Sequence, residues 1–297
     1  MRTVLNYGWR ALVALGILTA LSCASLYVQA QGGTLGDPIG GRGTFVLRTA
    51  LREALTVLAL LWPTLRTRWA GTRLTGALFV AYFGVHSFVT LSRTALTLPS
   101  IVTSEVATAL SAHGFLIALA SALTMVVTMG RMRPSPSPLE SPRLHLPAGE
   151  WLWKLLLCSV AGMGIWLAEQ KLAPAGLEEF YQDAGRPEQT ARAVLELGRS
   201  LLLLAFVLPV IKMMKGGRWE TALAVALLMA VLGGLTPVIL PTELMPAPVR
   251  WSFVCGTAPG NFIYGGLAGY LFSRRPGTDP TSPYSGPEAW GVAGRLL

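Results

Sequence analysis

The stretch LRTALREALTVLALLWPTLRTR, residues 47–68, decides how the chain is read. Its middle is apolar, and its charges collect at the two ends. Arg48, Arg52 and Glu53 open it, and Arg66 and Arg68 close it. A soluble amphipathic helix would spread its charges along one face instead. The segment therefore reads as a membrane helix, and the charges at its start need an explanation.

The whole chain has the same character. Of its 297 residues, 52% are hydrophobic and 13% charged, with a mean hydropathy of +0.52. A soluble domain carries about 25% charged residues. Lipid, then, is the main solvent, and an all-α polytopic membrane bundle follows. The net charge of +9 does not point to nucleic acid, because the basic residues sit in short clusters between apolar runs. Cys23, Cys158 and Cys255 all lie inside apolar runs without a C-x-x-C pair, so they read as small packing residues.

A membrane-crossing helix needs about 20 apolar residues. Eight runs approach that length, at approximately 10–30, 45–63, 74–91, 106–129, 151–169, 195–212, 220–240 and 250–272. Charges interrupt the first turns of the second and sixth, so six or seven spans stay open. Basic residues weigh on every second connection. Arg2 and Arg10 precede the first run, and Arg66, Arg68 and Arg73 follow the second. Arg131, Arg133 and Arg143 follow the fourth, Lys212, Lys215 and Arg218 the sixth, and Arg274 and Arg275 the eighth. The intervening connections hold only Arg42, then Arg93, then Lys171 and Arg186 among acidic residues, then Arg250. With eight spans, the positive-inside rule places every cluster and both termini in the cytoplasm. A bacterial inner membrane is the expected setting. A secretory signal ending near Ala30 is the rival reading of the first run, and it would leave seven spans.

The Pro/Ser-rich stretch 131–150 separates two halves, 1–130 and 151–272, and a Pro/Gly/Ser-rich tail at 273–297 reads as disordered. The halves echo each other. LALLWPTLR (58–66) aligns with LLAFVLPVIK (203–212), setting Pro63 on Pro209 and Arg66 on Lys212. The same register sets Thr90 on Thr236 and Gly114 on Gly260, and Trp9-Arg10 falls on Trp153-Lys154 after a two-residue shift. Two parallel four-helix repeats are expected, related by a pseudo-two-fold axis along the membrane normal.

Ionisable residues near the spans are the first candidates for chemistry, because each costs about 2.5–3.5 kcal/mol at a helix centre on insertion scales. Arg48, Arg52 and Glu53 stand on the second run, and Arg192, Glu196 and Arg199 share one face of the sixth. Glu53 and Arg199 each lie ten residues before a proline, so they are expected at equal depth and able to pair across the halves. An outward basic mouth for an anionic solute or lipid headgroup competes with arginines that merely snorkel. His86 and His113 fall in the third and fourth runs, where a metal or haem role competes with ordinary interhelical hydrogen bonds. Gly233, Gly234 and Pro237 break the seventh run, and Pro259, Gly260 and Asn261 the eighth, which makes Asn261 a candidate pocket residue. Gly265 and Gly269 form a G-x-x-x-G pair suited to close helix contact.

No phosphate-binding G-x-x-x-x-G-K-[ST] loop, H-E-x-x-H or G-x-S-x-G is present, and no carboxylate pair is expected to face the interior. Nothing in the sequence points to an enzyme or calls for a cofactor. Three readings remain: a transporter-like protein for a small or amphiphilic anion with a site between the halves, a structural or accessory membrane subunit, and a haem protein or enzyme using His86 and His113. The bilayer is the one partner the sequence requires, and a homo-oligomer is left open.

Overall fold

A computed structural model describes residues 2–31, 41–97, 102–133, 144, 146–172, 188–239 and 247–273. Glu178, Glu179 and Asp183 between the fifth and sixth runs, most of the 131–150 stretch and the tail after Ser273 lie outside these residues.

Within the described residues the chain is all-helical, and its helices form eight columns. They are α1 (Arg2–Gln31), α2 (Gly41–Leu65), α3 (71–97), α4 (Ser104–Thr128), α5 (Ala148–Lys171), α6 (Gln189–Met213), α7 (218–239) and α8 (247–272). Six of them, α1 and α3 to α7, are long and apolar enough to cross a membrane. The charges of α2 and the glycine-, proline- and asparagine-containing sequence of α8 keep these two below that level. The sixth column, expected to be weak, qualifies, because its apolar stretch after Arg199 is long.

Large apolar side chains cover the outside of the bundle, among them Leu12, Leu116, Leu152, Leu156 and Ile263. Water would not tolerate so extensive an apolar surface, and lipid does. The chain is a multi-pass membrane protein by this composition and surface.

The packing order is regular. α1 packs on α2 and α4, and α3 on α4; α5 packs on α6 and α8, and α7 on α8. Contacts between the two sets run from α3 to α6 and from α7 to α2. α3 and α7 are the inner columns: 50% and 61% of their apolar windows are buried, against 17% for α1 and 22% for α5. Phe206 of α6 lies against Gly84 of α3, where a Cβ would fall 2.1 Å from the ring.

Three columns contain a π-helical turn: Phe83–Phe88 in α3, Val231–Leu235 in α7 and Phe253–Thr257 in α8. In α7 and α8 the turn ends just before Pro237 and Pro259. Proline lacks the N–H that would close the preceding helical bond, and its ring crowds the carbonyl four residues back, so the helix widens there. α3 widens without a proline. Its turn meets that of α7, and His86 Nδ1 lies 2.9 Å from the Leu232 carbonyl oxygen. A carbonyl only accepts, so Nδ1 is the donor in this bond.

At one end the chain between α2 and α3 runs antiparallel to that between α6 and α7. Arg68 N donates to Met213 O and Lys215 N to Arg66 O, both at 2.8 Å. Arg131 reaches the Thr67 carbonyl, Arg10 the Met129 carbonyl, and Arg66 pairs with Glu220. Several basic residues that mark alternate connections in the sequence thus gather at this end.

Candidate functional site

Two clusters of buried charge involve more than one column; a further buried charge, Lys154, pairs within α5 with Glu150 at 2.9 Å. The first belongs to α1 and α2. Arg52 donates from Nε and Nη2 to one oxygen of Glu53, at 2.9 and 2.7 Å. Ser22 of α1 donates to the same oxygen at 2.9 Å. Glu53 is fully buried, and its second oxygen has no hydrogen-bond partner among the described residues. Arg48, one turn before Arg52, is half-buried.

The second cluster draws on four columns. Arg93 near the end of α3 lies 3.1 Å from Glu196 of α6 and 3.6 Å from Glu169 of α5. Glu196 also accepts from Arg199 at 2.9 Å, and Arg199 donates to Asn261 of α8 at 3.1 Å. Opposed charges hold each arginine, which is what makes their partial burial tolerable. Arg192, two turns before Arg199 on the same face, keeps buried guanidinium nitrogens without a hydrogen-bond partner among the described residues.

A narrow cleft opens on this cluster. Val85, Val89, Leu203 and Phe253 form its apolar wall, and Thr90, Arg93, Arg199, Thr257 and Asn261 its polar wall. The Asn261 Oδ1 already accepts from Arg199, which leaves the amide nitrogen, a donor, beside Gly233. Glu169 and Glu196 are not among the lining residues; they stand behind the arginines. The cleft is thus lined by two arginines and an amide, while the carboxylates that pair with those arginines are not part of its lining. In this conformation it has room for little more than a water molecule.

Several expectations change at this point. Glu53 and Arg199 do not pair: Glu53 is taken by Arg52 and Ser22, and Arg199 by Glu196 and Asn261. Two carboxylates do meet in the interior, Glu169 and Glu196, because Arg93 stands between them. Arg93 was the unremarkable charge of a connection in the sequence. The apolar run ends near residue 91, but α3 continues to Thr97 and carries Arg93 within the bundle. Glu169, the last residue of the run 151–169, likewise lies within a helix, since α5 runs to Lys171.

The histidines have separate partners. His86 meets Leu232 and Thr236, and His113 Nδ1 lies 2.7 Å from Ser25 Oγ. No group of three or more histidine, cysteine or acidic residues placed to hold a metal occurs among the described residues. Gly265 and Gly269 pack directly on the α7 backbone, with added Cβ atoms falling 2.9 Å from Val225 O and 2.7 Å from Ala222 Cα. That is the close contact expected of the G-x-x-x-G pair.

No protein-family model, curated protein or solved structure matches this chain.

Proposed function

We propose that the chain is a membrane protein of eight spans, built as two parallel four-helix repeats, that binds a small amphiphilic anion in the cleft between them in a transporter-like manner. The helix pairing supports the repeat, since each contact in residues 1–130 has its counterpart in 151–272. Residues 146 positions apart meet between the halves: Thr67 with Met213 at one end and His86 with Leu232 within the columns. Equivalent residues touch each other only near a two-fold axis. The gathered basic ends support a cytoplasmic location for the even connections and both termini.

The donor-lined cleft carries the ligand assignment. Arg93 comes from the first half and Arg199, Asn261 and Thr257 from the second. Two guanidinium groups and an amide suit a carboxylate or sulfonate head, and the Val85, Val89 and Phe253 side suits a short apolar tail. Binding of butyrate to the purified chain, compared with butyramide, tests this. Butyrate is expected to bind and the neutral amide to bind at least tenfold more weakly, with binding lost in Arg199→Ala. Equal binding of the two, or unchanged butyrate binding in a folded Arg199→Ala protein, sinks the assignment. Butyrate uptake into proteoliposomes separates transport from binding alone.

The tightness of the cleft favours a second reading, a structural membrane subunit whose ion pairs fasten α3, α5 and α6 together. Failure of butyrate to bind would leave that reading in place.

A further inference from the structure

We propose that Arg192 and Arg250 form an outer receiving position for a carboxylate or sulfonate, and that the anion enters the cleft through it; this rests on the anion-binding reading above. The placement of the two side chains comes first. α6 carries Arg192, Glu196, Arg199 and Leu203 at spacings of four, three and four, which keeps them on one face. Arg199 and Leu203 line the cleft. α8 carries Arg250 before Phe253, Thr257 and Asn261, at spacings of three, four and four, and these last three line the cleft as well. The exposed residues of α8 follow another line, Trp251, Cys255, Pro259 and Ile263. α6 ends at the paired connections 66–68 and 213–215, and α8 runs toward them along α7, with Ala258 against Gly234 and Gly269 against Ala222. Arg192 thus stands about two turns beyond Arg199, and Arg250 about one turn beyond Phe253, both away from the paired connections.

Both arginines keep donors unmatched. Arg192 buries Nε and Nη1, and Arg250 buries Nε, without a hydrogen-bond partner among the described residues. An arginine that snorkels to the headgroups exposes its guanidinium, and these two bury part of theirs. The nearby carboxylates are engaged elsewhere. Glu196, one turn from Arg192, takes Arg93 on one oxygen and Arg199 on the other. Glu169 pairs with Arg93. Glu188, one turn before Arg192, is exposed and accepts from the Arg192 N–H through its backbone carbonyl. A buried charged donor without an acceptor is costly, and an arriving anion supplies the acceptor.

The two directions along the columns differ in charge. On the outer side Arg192 and Arg250 join Arg93 and Arg199, so four guanidinium groups stand against the buried carboxylates Glu169 and Glu196. That region stays positive while the cleft is empty, which draws anions toward it. Toward the paired connections the columns close. Phe206 packs on Gly84, Leu78, Leu204 and Val207 are buried, and the Tyr264 hydroxyl donates to the Ser200 carbonyl at 2.6 Å. These side chains carry no positive charge. The charge and the packing together place the entry at the end of Arg192 and Arg250.

A thiol in the cleft wall tests this. Thr257→Cys places one between Phe253 and Asn261, in the full chain with Cys23, Cys158 and Cys255 changed to serine. Sealed proteoliposomes of known orientation are treated from one side at a time with two membrane-impermeant methanethiosulfonates, one bearing a sulfonate and one a trimethylammonium group. From the side of Arg192 and Arg250, the sulfonate reagent is expected to label about tenfold faster than the cationic one, after correction for their rates with a free thiol. This preference should fall about threefold or more in Arg192→Gln and in Arg250→Gln, and it should shrink at high salt. Equal or faster labelling by the cationic reagent, faster labelling from the opposite side, or no labelling at all overturns the entry. A sulfonate preference unchanged in both glutamine variants overturns the assignment to these arginines. Butyrate binding to the wild-type chain is measured separately, and its absence beside an intact sulfonate preference overturns the cleft reading and not the entry. Should Thr257→Cys fail to fold, Val89→Cys on the apolar wall of the cleft serves in its place, with the same outcomes.

Discussion

The two buried charge clusters occupy comparable places and are built differently. Arg52 and Glu53 are neighbours in sequence, and with Ser22 they close a pair inside the first four columns. In the second cluster no pair is adjacent in sequence, and Arg93 reaches from α3 to α5 and α6. The first cluster can fasten α1 to α2 whatever the other half does. The Arg93 pairs of the second hold only while α3 stays against α5 and α6. A sealed pair is a structural element, and a pair shared across an interface can respond to what enters that interface.

Removing one partner of the sealed pair should have the largest effect. Glu53→Ala leaves the Arg52 guanidinium buried without its carboxylate, and such a loss costs about 3–5 kcal/mol. Thermal unfolding in detergent would show it as a large drop in Tm. Replacing both residues by apolar ones, Arg52→Met with Glu53→Leu, should recover much of that loss, because no charge is then left buried. If the double variant is as damaged as the single one, the pair does more than fasten helices, and the contrast between the clusters fails.

Arg93→Gln comes next. It removes two ion pairs of a side chain that is 23% exposed, so a loss of about 1.5–3 kcal/mol is an upper range for it. Its distinctive result lies elsewhere. Cross-linking between α3 and α6 should change, whereas cross-linking between α1 and α2 should not. Equal changes at both places would erase the distinction between a local and a shared cluster.

The halves also differ in how closely their last helices pack. Gly265 and Gly269 let α8 lie on the α7 backbone, and the residues 146 positions earlier are Leu119 and Leu123. Gly269→Leu should therefore cost about 1–3 kcal/mol or more by overpacking, whereas Leu123→Ala, at a 47% exposed side chain, should cost far less. Comparable losses would mean that the α3–α4 contact is as close as α7–α8.

Much of this was legible in the sequence, and the illegible part has one physical cause. The apolar runs fall on helices, the break at Gly233–Pro237 coincides with a widened helical turn, and the break at Pro259–Asn261 follows just after another, Phe253–Thr257. The charges on α2 and α6 were visible as anomalies in apolar segments. Arg93 was not, because hydropathy ends a span at its first polar residues while the backbone remains helical for a turn or more, and Glu169, at the very end of the run 151–169, drew no notice as a single charge there. The partner of Glu53 was also misjudged. Equal depth on two helices suggested Arg199, but a guanidinium on the next residue can fold back over a shorter distance than any interhelical reach.

Arg66 and Glu220 supply the smallest effect and the sharpest control. This pair also joins the two halves, from the end of α2 to the first turn of α7, and it is doubly hydrogen bonded. Yet the Arg66 side chain is 56% exposed. Water and salt screen such a pair, and the entropy of holding two long side chains offsets its attraction. Arg66→Ala is thus expected to leave Tm unchanged within error and to become even less visible at high salt. A clear loss of stability would mean that crossing between halves, rather than burial, determines what a charge contributes here. The contrast between the sealed and the shared cluster would then have to be restated in terms of the interface alone.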